Sequence, residues 1–443
     1  MMKSMENLGI SKIADDGYIW GIKRPIYPNK TQKKIINYNI VSSRLIYNRL
    51  VAIQKKIGKV QHDDNLSKGD KKEKIKVLKK LSSTKELRNS IPMLNNKLFD
   101  GCNLSITKKS YQAAWNNFKK VHKAGVPKYK EEKWFGSYGT SNTYGKGKKA
   151  NMLTGTVRFI NKHTIRLPKI GEVRIYPIPD KYWQKRTSIC IGTTTISKDS
   201  KGQYWVSMQV GSQFNINNAQ PSIDESKIIG IDLNTGVNKK TYIKEDFCYD
   251  SEGKTQELPT FYLRSQDRLK KLQRTMSRRQ LVAKKAKKNY KQSKNYRKAR
   301  IAYAKKAERV ANQRDSYMNE IVKYYTQKYD VIVLEDLSSK NMLKNHAIAK
   351  SILDSGFRLF IMKMQAKCSL LGKKCIVIDP KNTTQTCSAC GYVCGKENKD
   401  EHLALDKREW DCPNCRIHHI RDYNAAKNIL QKGKNKLKEE LDK

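Results

Sequence analysis

Acidic residues are scarce in this sequence. Asp and Glu total 41 against 91 Lys and Arg, which leaves a formal net charge of +50 over 443 residues. This excess goes far beyond what solubility requires, and its usual partner is a polyanion, most often nucleic acid. An anionic membrane surface is the competing interpretation. Because phosphate contacts would supply much of the affinity, binding to nucleic acid is expected to fall steeply with salt.

Long hydrophobic runs are also missing. No apolar stretch reaches transmembrane length, and the opening segment MMKSMENLGISKIADDGY contains no hydrophobic signal-peptide core. The sequence therefore predicts a cytoplasmic protein without a membrane partner, and this expectation favours nucleic acid over a lipid surface.

The ten cysteines are distributed in a way that argues against a disulfide framework. Half of them lie in one short region: Cys387, Cys390, Cys394, Cys412 and Cys415. Two C-x2-C pairs, TCSACG and DCPNC, are separated there by 21 residues. Each pair turns two thiolates towards one point, so two pairs complete a tetrahedral zinc site. We expect a structural Zn²⁺ on Cys387, Cys390, Cys412 and Cys415, with Cys394 as a spare thiol that could compete.

The patterns along the chain predict a multidomain α/β protein. Residues 31–57 and 103–122 carry apolar side chains at helical spacing, so the first part of the chain is expected to be largely helical. Residues 150–212 contain five short β-branched or aromatic segments separated by turn residues, which is typical of a small antiparallel sheet or barrel. The polar segment 213–226 is predicted to be a linker.

Residues 261–328 form one long helical pattern, or two helices in a hairpin. From Arg264 to Arg309 there are 19 Lys or Arg and two acids. A solvated helix normally mixes both signs of charge, so this run favours a nucleic-acid track over a plain solvated face. The candidate nucleic-acid contacts on it are Arg264, Arg268, Lys270, Lys271, Arg274, Arg278, Arg279, Lys284, Lys285 and Arg297.

Two apolar strands end in acidic residues. KIIGIDL contains Asp232, and KYDVIVLEDL runs directly into Glu335. A carboxylate at the end of a buried strand needs a partner for its charge, and Mg²⁺ or Mn²⁺ suits such oxygen ligands. Hydrolysis of a phosphodiester with two cations needs a third carboxylate, for which Asp422 in RDYNAAKNIL is the best candidate. Each acid alone could instead be a helix cap or a turn residue, and the spacing does not establish that the three meet.

The motifs together resemble a known family. GIDL, VLEDL, PKNTTQTCSACG, REWDCPNC and RDYNAAKNIL occur in this order, as in the RuvC-like nuclease of transposon-encoded TnpB proteins and miniature type V-F CRISPR effectors. YPNKTQ, RLIYNRL and AWNNFKK are similar to N-terminal segments of the same family. No N-terminal cysteine finger of the type V-F kind is present, which leans towards TnpB. The sequence departs from the family pattern at three positions: the family often has Gly where Asn234 stands, Gly where Arg416 stands and Asp where Ile420 stands. None of these departures removes a metal ligand, so we expect them to affect only the fine geometry of the site.

The resemblance implies an RNA-guided DNA endonuclease. Its fold would be an RNase H-like (RuvC) mixed sheet with an inserted zinc ribbon, preceded by a helical lobe with an antiparallel β wedge or oligonucleotide-binding-like barrel. Asp232, Glu335 and Asp422 would bind Mg²⁺. A guide RNA would pair with one strand of double-stranded target DNA, while the N-terminal lobe reads a short adjacent duplex motif. In that lobe, Trp115, Tyr129 and Trp134 are the aromatic candidates for stacking on nucleotides.

The motifs and the resemblance together predict how the chain is divided into segments, and they leave more than one function open. The expected segments are 1–25 (start of the β region), 26–149 (helical recognition region), 150–212 (β wedge), 213–226 (linker), 227–380 (nuclease core with basic helices 261–328), 381–417 (zinc ribbon), 418–432 (end of the core) and 433–443 (charged tail). The protein would act as a monomer, or as a homodimer on one RNA. The alternatives are an unguided transposase, a guided binding-only regulator, and a plain basic zinc-ribbon binder, which leaves the three acids unexplained.

Overall fold

The chain forms two compact units, residues 1–216 and 217–443. The computed structural model describes residues 17–121, 125–145, 149–213, 224–234, 246–286, 289–290, 293–336, 356–396, 398–404 and 407–441. Within these residues, no helix combines the length and the apolar composition needed to cross a membrane.

The first unit begins with one strand followed by a run of helices. The helices are α1 (Lys30–Gln61), α2 (Lys68–Lys80), α3 (Thr84–Ser90) and α4 (Gly101–Lys120), with a 3-10 turn at Pro92–Asn95 and a later short helix α5 (Asp180–Gln184). Asn29 caps α1. Its side chain accepts a hydrogen bond from Gln32 N at 2.9 Å, and the Gln32 side chain accepts one from Asn29 N at 3.0 Å. The helices expected over 31–57 and 103–122 are thus observed, with ends shifted by one to four residues.

Two antiparallel sheets complete the first unit. The strands are β1 (Tyr18–Ile26), β2 (Gly136–Ser141), β3 (Arg158–Asn161), β4 (Thr164–Leu167), β5 (Gly171–Arg174), β6 (Cys190–Lys198) and β7 (Tyr204–Ser212). One sheet has the order β1-β7-β6-β2 and the other the order β3-β4-β5. Side chains from both sheets, among them Ile22, Phe159 and Val206, are buried in one shared core. The five β segments of 150–212 therefore form strands, but in two sheets rather than one.

Strand β2 lies inside the segment that the sequence assigns to the helical region. GSYGTS has two glycines and no apolar run, so it carries little strand signal. The structure gives the reason for both glycines. A Cβ at Gly136 would lie 2.8 Å from Ile40 Cγ2, and a Cβ at Gly139 would lie 2.4 Å from Ile106 Cγ2, because α1 and α4 pack closely against this strand.

The second unit is built on a mixed five-stranded sheet. Its strands are β8 (Ile228–Leu233), β9 (Cys248–Asp250), β10 (Thr255–Gln256), β11 (Val331–Glu335) and β12 (Lys374–Ile378), in the order β10-β9-β8-β11-β12. Strands β8, β11 and β12 are parallel, whereas β9 and β10 are antiparallel to their neighbours. The central strands are buried on both faces, as the unbroken apolar runs predict.

Helices cover both faces of this sheet. They are α6 (Phe261–Lys285), α7 (Lys294–Lys328), α8 (Phe357–Leu371) and α9 (Arg421–Leu441). α7 and α8 bury Tyr325 and Phe360 against one face, and α9 buries Ile429 against the other. Of the two readings of 261–328, the structure shows two helices, α6 and α7, packed side by side. Between β12 and α9 lies a small hairpin of β13 (Glu409–Asp411) and β14 (His418–Ile420).

Candidate functional site

Asp232 and Glu335 lie on neighbouring parallel strands at the same end of the sheet. The register pairs Leu334 of β11 with Ile231 of β8, so the next residue on each strand is an acid. Ile231 and Leu334 face the core under α7 and α8. Since side chains alternate along a strand, Asp232 and Glu335 point to the opposite face, the one that α9 covers.

Asp422 reaches this end of the sheet from the first turn of α9. The helix crosses β8 closely, because a Cβ at Gly230 would lie 2.5 Å from Ala426 O and 2.5 Å from Leu430 N. Farther along, Ile429 is fully buried beside Val331 and Val333. The glycine of GIDL therefore lets the helix approach the strand. This close packing places Asp422, in the first turn of the helix, near the two strand-end acids. A helix N-terminus is also a favourable place for a carboxylate.

The charges of Glu335 and Asp422 act on Asp232. Burial, followed by the negative charges of Glu335 and Asp422, raises the pKa of Asp232 well above its usual range, and Arg421 opposes the shift. Burial likewise raises the pKa of Glu335 and of Asp422. Asp379 also raises the pKa of Glu335, while Thr383 and Lys432 oppose the rise. Such a group of buried acids favours a bound cation over three separate charges.

One oxygen of this group has no protein partner. Glu335 Oε1 is buried and makes no hydrogen bond, while Glu335 as a whole is only 4% exposed. A buried, unsatisfied carboxylate oxygen is costly unless something binds it. Carboxylate oxygens are the type of donor that a divalent cation such as Mg²⁺ prefers, although the oxygens of these three acids do not all lie within 4.8 Å of one another as the cysteine sulfurs do. The donor set and this oxygen are therefore compatible with the ion that the family resemblance implies.

Asp422 is held by donors from two other segments. Asn234, directly after β8, donates from Nδ2 to Asp422 Oδ2 at 3.2 Å. Arg408 places Nη1 3.5 Å from the other oxygen, Oδ1. Arg421 is buried beside them and donates from Nη1 to Ala404 O at 2.9 Å. Both carboxylate oxygens of Asp422 thus have fixed partners of neutral or positive character.

The four predicted cysteine ligands converge on one point. Their sulfur atoms all lie within 4.8 Å of one another, and within the part of the chain that the structure describes no other group of three or more potential ligands does so. Cys387 and Cys415 are 3.7 Å apart, and Cys390 and Cys412 are 3.6 Å apart, measured between the Sγ atoms. Tetrahedral zinc with Zn–S bonds of about 2.3 Å requires about 3.8 Å between sulfurs, so the set fits Zn²⁺. Cys394 is buried in the adjacent small core and is not one of the four.

The two cysteine turns have the same backbone form. Gly391 N bonds Cys387 O at 2.9 Å after the first pair, and Arg416 N bonds Cys412 O at 2.9 Å after the second. The residue after each pair has a positive φ, 78° at Gly391 and 63° at Arg416. The departure at Arg416 therefore places a non-glycine residue in the left-handed region. Beside the cluster, His419 Nε2 lies 3.0 Å from Cys387 Sγ.

Two asparagines of α9 tie the cysteine region to the helix that carries Asp422. Asn424 accepts from Ser388 N at 2.8 Å and donates to Thr386 O at 2.7 Å. Asn428, one turn later, donates to Thr383 O at 2.8 Å and to Thr386 O at 2.6 Å. Both side chains are at least nine-tenths buried. The cysteine region is thus joined to the first turns of α9 by buried hydrogen bonds.

The predicted nucleic-acid contacts are of two kinds: basic side chains on α6 and α7, and aromatic side chains in the first unit. The ten Lys and Arg candidates on α6 and α7 are all exposed. In the first unit, Tyr129 is 48% exposed with Lys55 Nζ 4.5 Å from its ring centroid. Trp115 packs edge-on against Tyr111 and Phe118, so much of its ring is already covered. Trp134 packs edge-on against Phe135, and Lys198 lies over its ring.

Sequence reasoning missed several residues that shape the site. The roles of Arg408, Thr383 and the asparagines of α9 depend on contacts between segments far apart in the chain. Only RDYNAAKNIL held a signal, because Asn424 and Asn428 are four residues apart and so share one helix face. Asn234 was visible only as a departure from a family pattern.

These features define a mixed α/β protein with one four-cysteine metal site and one group of buried carboxylates. Residues 212–346 match the family model described as a probable transposase, OrfB_IS605, and residues 357–429 match the Cas12f1-like TNB domain. The resemblance to TnpB proteins and miniature type V-F effectors is therefore confirmed, and the matched segments contain all three acids and all four cysteines.

Two curated relatives are similar over part of the chain. A putative RNA-guided DNA endonuclease from Streptomyces pristinaespiralis is 30% identical over 242 residues, which cover 54% of this chain and 52% of the relative. A putative transposase, R186, of Acanthamoeba polyphaga mimivirus is 27% identical over 178 residues, which cover 39% of this chain and 34% of the relative. The chain thus spans about half of the first relative and about a third of the second.

Solved structures show weaker likenesses. A Cas12f1–sgRNA–target DNA complex is 14% identical, with a TM-score of 0.44 over 94% of this chain and 99% of that one. The mini RNA-guided endonuclease Cas-phi3 is 11% identical, with a TM-score of 0.43 over 94% of this chain and 92% of that one. At these TM-scores the likenesses carry no further conclusion.

Proposed function

We propose that this protein is an RNA-guided DNA endonuclease whose RuvC-like site consists of Asp232, Glu335 and Asp422. The observation that carries the proposal is the placement of two buried carboxylates and the partly buried Asp422 at one end of a mixed sheet, near enough for Glu335 and Asp422 to raise the pKa of Asp232, with one oxygen of Glu335 lacking a protein partner. The putative RNA-guided DNA endonuclease among the relatives supports the same activity.

The sheet topology supports an RNase H-like fold for the second unit. The strand that carries Asp232 is central, with the antiparallel pair β9 and β10 on one side and the parallel strands β11 and β12 on the other. In sheets that contain parallel strands, ligands commonly bind outside the carboxyl ends of those strands. Asp232 and Glu335 are at this end, so a phosphodiester could approach the acids there without disturbing the core.

The acids would hold Mg²⁺ or Mn²⁺ through hard oxygen ligands. When bound, such ions supply an activated water and stabilise the leaving oxygen of a phosphodiester. The chain itself contributes preorganisation. Asp232 and Glu335 are fixed by the strands of a buried sheet, and Asp422 is fixed by a helix that packs on β8. Asp232 and Glu335 are buried and Asp422 is partly buried, which strengthens their attraction for a cation.

The basic surface would bind the nucleic acids. Ten exposed Lys and Arg side chains lie along α6 and α7, and the net charge is +50. Such a surface would hold a guide RNA and the heteroduplex with its DNA target through their phosphates, while base pairing supplies sequence specificity. In the first unit, Tyr129, Trp115 and Trp134 are proposed as nucleic-acid contacts. Exposure favours Tyr129 over the other two for stacking on a base.

The zinc site would serve structure rather than chemistry. Four cysteines fill the four positions of a tetrahedral ion, so no open position remains for a water or a substrate. Through Asn424 and Asn428 the bound region would steady the start of α9. Zinc would therefore affect cleavage indirectly, by keeping Asp422 in register with the two strand-end acids.

A second candidate is an unguided transposase with the same metal chemistry. The family model over residues 212–346 is described as a probable transposase, as is the viral relative. Exposed Lys and Arg cannot distinguish DNA phosphates from RNA phosphates. The two functions differ in one observable property, a defined RNA that stays bound through purification at high salt.

The test has two parts. First, the protein is expressed with its native flanking DNA, purified at high salt, and any bound RNA is sequenced. A single structured RNA with a variable end supports the guided function, whereas heterogeneous RNA lost on washing favours the transposase. Second, cleavage of a matched target is compared in Mg²⁺ and in EDTA for the wild type, Asp232→Ala, Glu335→Ala and the control Asp336→Ala.

The structure predicts a clear pattern among these variants. Asp232 and Glu335 are buried on the strands, so their replacement should abolish cleavage while target binding remains. Asp336 follows Glu335 directly but is exposed, so its loss removes the same charge without touching the buried group and should leave cleavage in place. Normal cutting by Asp232→Ala or Glu335→Ala would refute the assignment of the site. Target binding without cutting by the wild type in Mg²⁺ would point to a binding-only regulator.

A further inference from the structure

Asn234 lies at the end of the strand that carries Asp232 and contacts Asp422. It follows β8 directly and is two residues beyond Asp232, so it lies on the same face of the strand. Its backbone N–H bonds Phe247 O at 2.8 Å, which continues the pairing of β8 with β9 past the last strand residue. Its side chain is 9% exposed. The residue is therefore held in place by the sheet, at the level where the acids meet.

The side chain of Asn234 makes one contact that matters for the acids. Nδ2 donates to Asp422 Oδ2 at 3.2 Å, across 188 residues of sequence. Arg408 approaches the other oxygen, Oδ1, from the segment before β13. The hydrogen bond to Oδ2 and the longer ion pair at Oδ1 together restrict rotation of the Asp422 carboxylate about its last bond. A glycine at position 234 could not supply this donor.

The chemistry of a carboxamide suits this task. A neutral donor orients a carboxylate without adding to the positive charge that Arg408 already places beside it, so more of the carboxylate's charge stays available to a cation. An arginine or lysine at the same place would compete with the cation for that charge. Groups that orient a metal ligand by hydrogen bonding commonly change metal affinity by about 10–100-fold when they are removed.

We propose that Asn234 is a positioning residue that orients Asp422 and thereby sets the affinity of the carboxylate group for a divalent cation. This inference rests on the proposed function only in assigning the cation a role in cleavage. The hydrogen bond and its effect on cation binding can be measured whether or not the protein cuts DNA.

The test uses Mn²⁺ as the probe, with binding to the full, zinc-loaded chain followed by electron paramagnetic resonance of free Mn²⁺. Asp422→Ala defines which part of the binding belongs to the carboxylate group. Asn234→Ala removes the donor. Asn234→Leu removes it while keeping the branch at Cγ, so no cavity is left at the site. Asn319→Ala is the matched control, because Asn319, exposed on α7, donates from Nδ2 to Asp315 Oδ2 at 3.3 Å and accepts from Lys363 Nζ at 2.8 Å.

Both Asn234 variants should bind Mn²⁺ about 10–100-fold more weakly at the Asp422-dependent site, and Asn319→Ala should bind as the wild type. The Mg²⁺ concentration for half-maximal cleavage should rise by a similar factor, while the rate at saturating Mg²⁺ largely recovers. A purely structural role would instead lower the melting temperature and the saturated rate without this shift.

The outcomes separate the inference from the proposed function. Wild-type Mn²⁺ affinity in both Asn234 variants would overturn the inference, whether or not the protein cleaves DNA. Weaker Mn²⁺ binding in these variants, together with a wild type that cuts no DNA, would uphold the inference and count against the nuclease.

Discussion

Replacing Gly230 by Ala should separate α9 from the sheet and with it the third acid from the other two. Gly230 lies on β8, two residues before Asp232, and its missing side chain leaves the space in which α9 crosses. An added Cβ would lie 2.5 Å from Ala426 O, 2.5 Å from Leu430 N and 2.9 Å from Leu430 Cα. All three atoms are helix backbone, so no side-chain rotation can relieve the contact.

The size of the effect follows from this distance. Ordinary contact for a Cβ begins at 3.4 Å, so the helix and strand must move apart by about 1 Å near this point. A gap of about 0.5–1 Å forfeits roughly a quarter to a half of the dispersion energy between the surfaces concerned. Overpacking of a core costs about 1–3 kcal/mol, and a clash with backbone belongs at the upper end. We expect a loss of about 3 kcal/mol in the free energy of unfolding.

The assay compares thermal unfolding and Mg²⁺-dependent cleavage for three glycine variants. For a unit of the size of residues 217–443, a loss of about 3 kcal/mol corresponds to a fall of about 6–12 °C in melting temperature. Gly433→Ala places its Cβ 2.3 Å from Cγ2 and 2.7 Å from Cγ1 of the buried Val333, a contact with a side chain rather than with backbone, so its fall should be smaller. At Gly58, in α1, no atom lies within 4 Å of the added Cβ. Gly58→Ala should therefore raise stability by about 0.5–1 kcal/mol.

The ranking of the three variants is the critical result. The reasoning predicts that Gly230→Ala loses the most stability and also weakens cleavage, since Asp422 moves with α9. If Gly230→Ala melts within 1 °C or so of the wild type and cuts normally, the close crossing of α9 over β8 is not what positions Asp422. The same holds if Gly58→Ala proves more damaging than Gly230→Ala.

Two further outcomes concern other parts of the second unit. Arg416→Gly removes the strain of a non-glycine residue in the left-handed region beside a zinc ligand, so it should stabilise the cysteine region by about 1 kcal/mol. The measurement is the rate at which a chelator removes Zn²⁺, which should fall. A faster loss of Zn²⁺ would contradict the prediction. Asp330 is buried, which alone would raise its pKa, but its 2.7 Å ion pair with Lys373 and the Asp224 N–H outweigh burial, so its pKa is lowered. Asp330→Asn should therefore cost about 1–3 kcal/mol at pH 7 in urea unfolding. A carboxyl whose pKa is lowered on folding stabilises the protein above its unfolded pKa of about 3.9, and this stabilisation is lost as the pH falls through the folded pKa. The cost of Asp330→Asn should therefore shrink below about pH 4. A cost that does not change with pH would contradict the pairing of Asp330 with Lys373.

Local patterns were sufficient to predict the elements that carry their own signal. The unbroken apolar runs before Asp232 and Glu335 predicted buried strands, and both are buried on two faces. Two C-x2-C pairs predicted a four-cysteine cluster, and the sulfurs converge as required. In each case the residues that define the feature lie within a few positions of one another, or their chemistry leaves few alternatives.

Features that depend on contact between distant segments could not be predicted in this way. Strand β2 has the composition of a turn and becomes a strand because β6 pairs with it. No local pattern connects Asn234 with Asp422, since 188 residues separate them. Likewise the presence of a glycine in GIDL was visible, but its contact with the backbone of α9 was not. Tertiary packing decides such features, and a single sequence does not record it.

The arrangement of the acids explains why the third one sits on a helix. Burial and the charge of Glu335 already raise the pKa of Asp232 on the adjacent strand, and a third carboxylate on the next strand would lie in the same row. A helix that crosses β8 brings its carboxylate from above the sheet, with donors from Asn234 and Arg408 and with a helix N-terminus to favour the charge. The group is then complete only when α9 is docked. Changes that disturb the crossing of α9 over β8 at Gly230, or the hydrogen bonds of Asn424 and Asn428 to the cysteine region, should therefore weaken cation binding before they unfold the sheet itself.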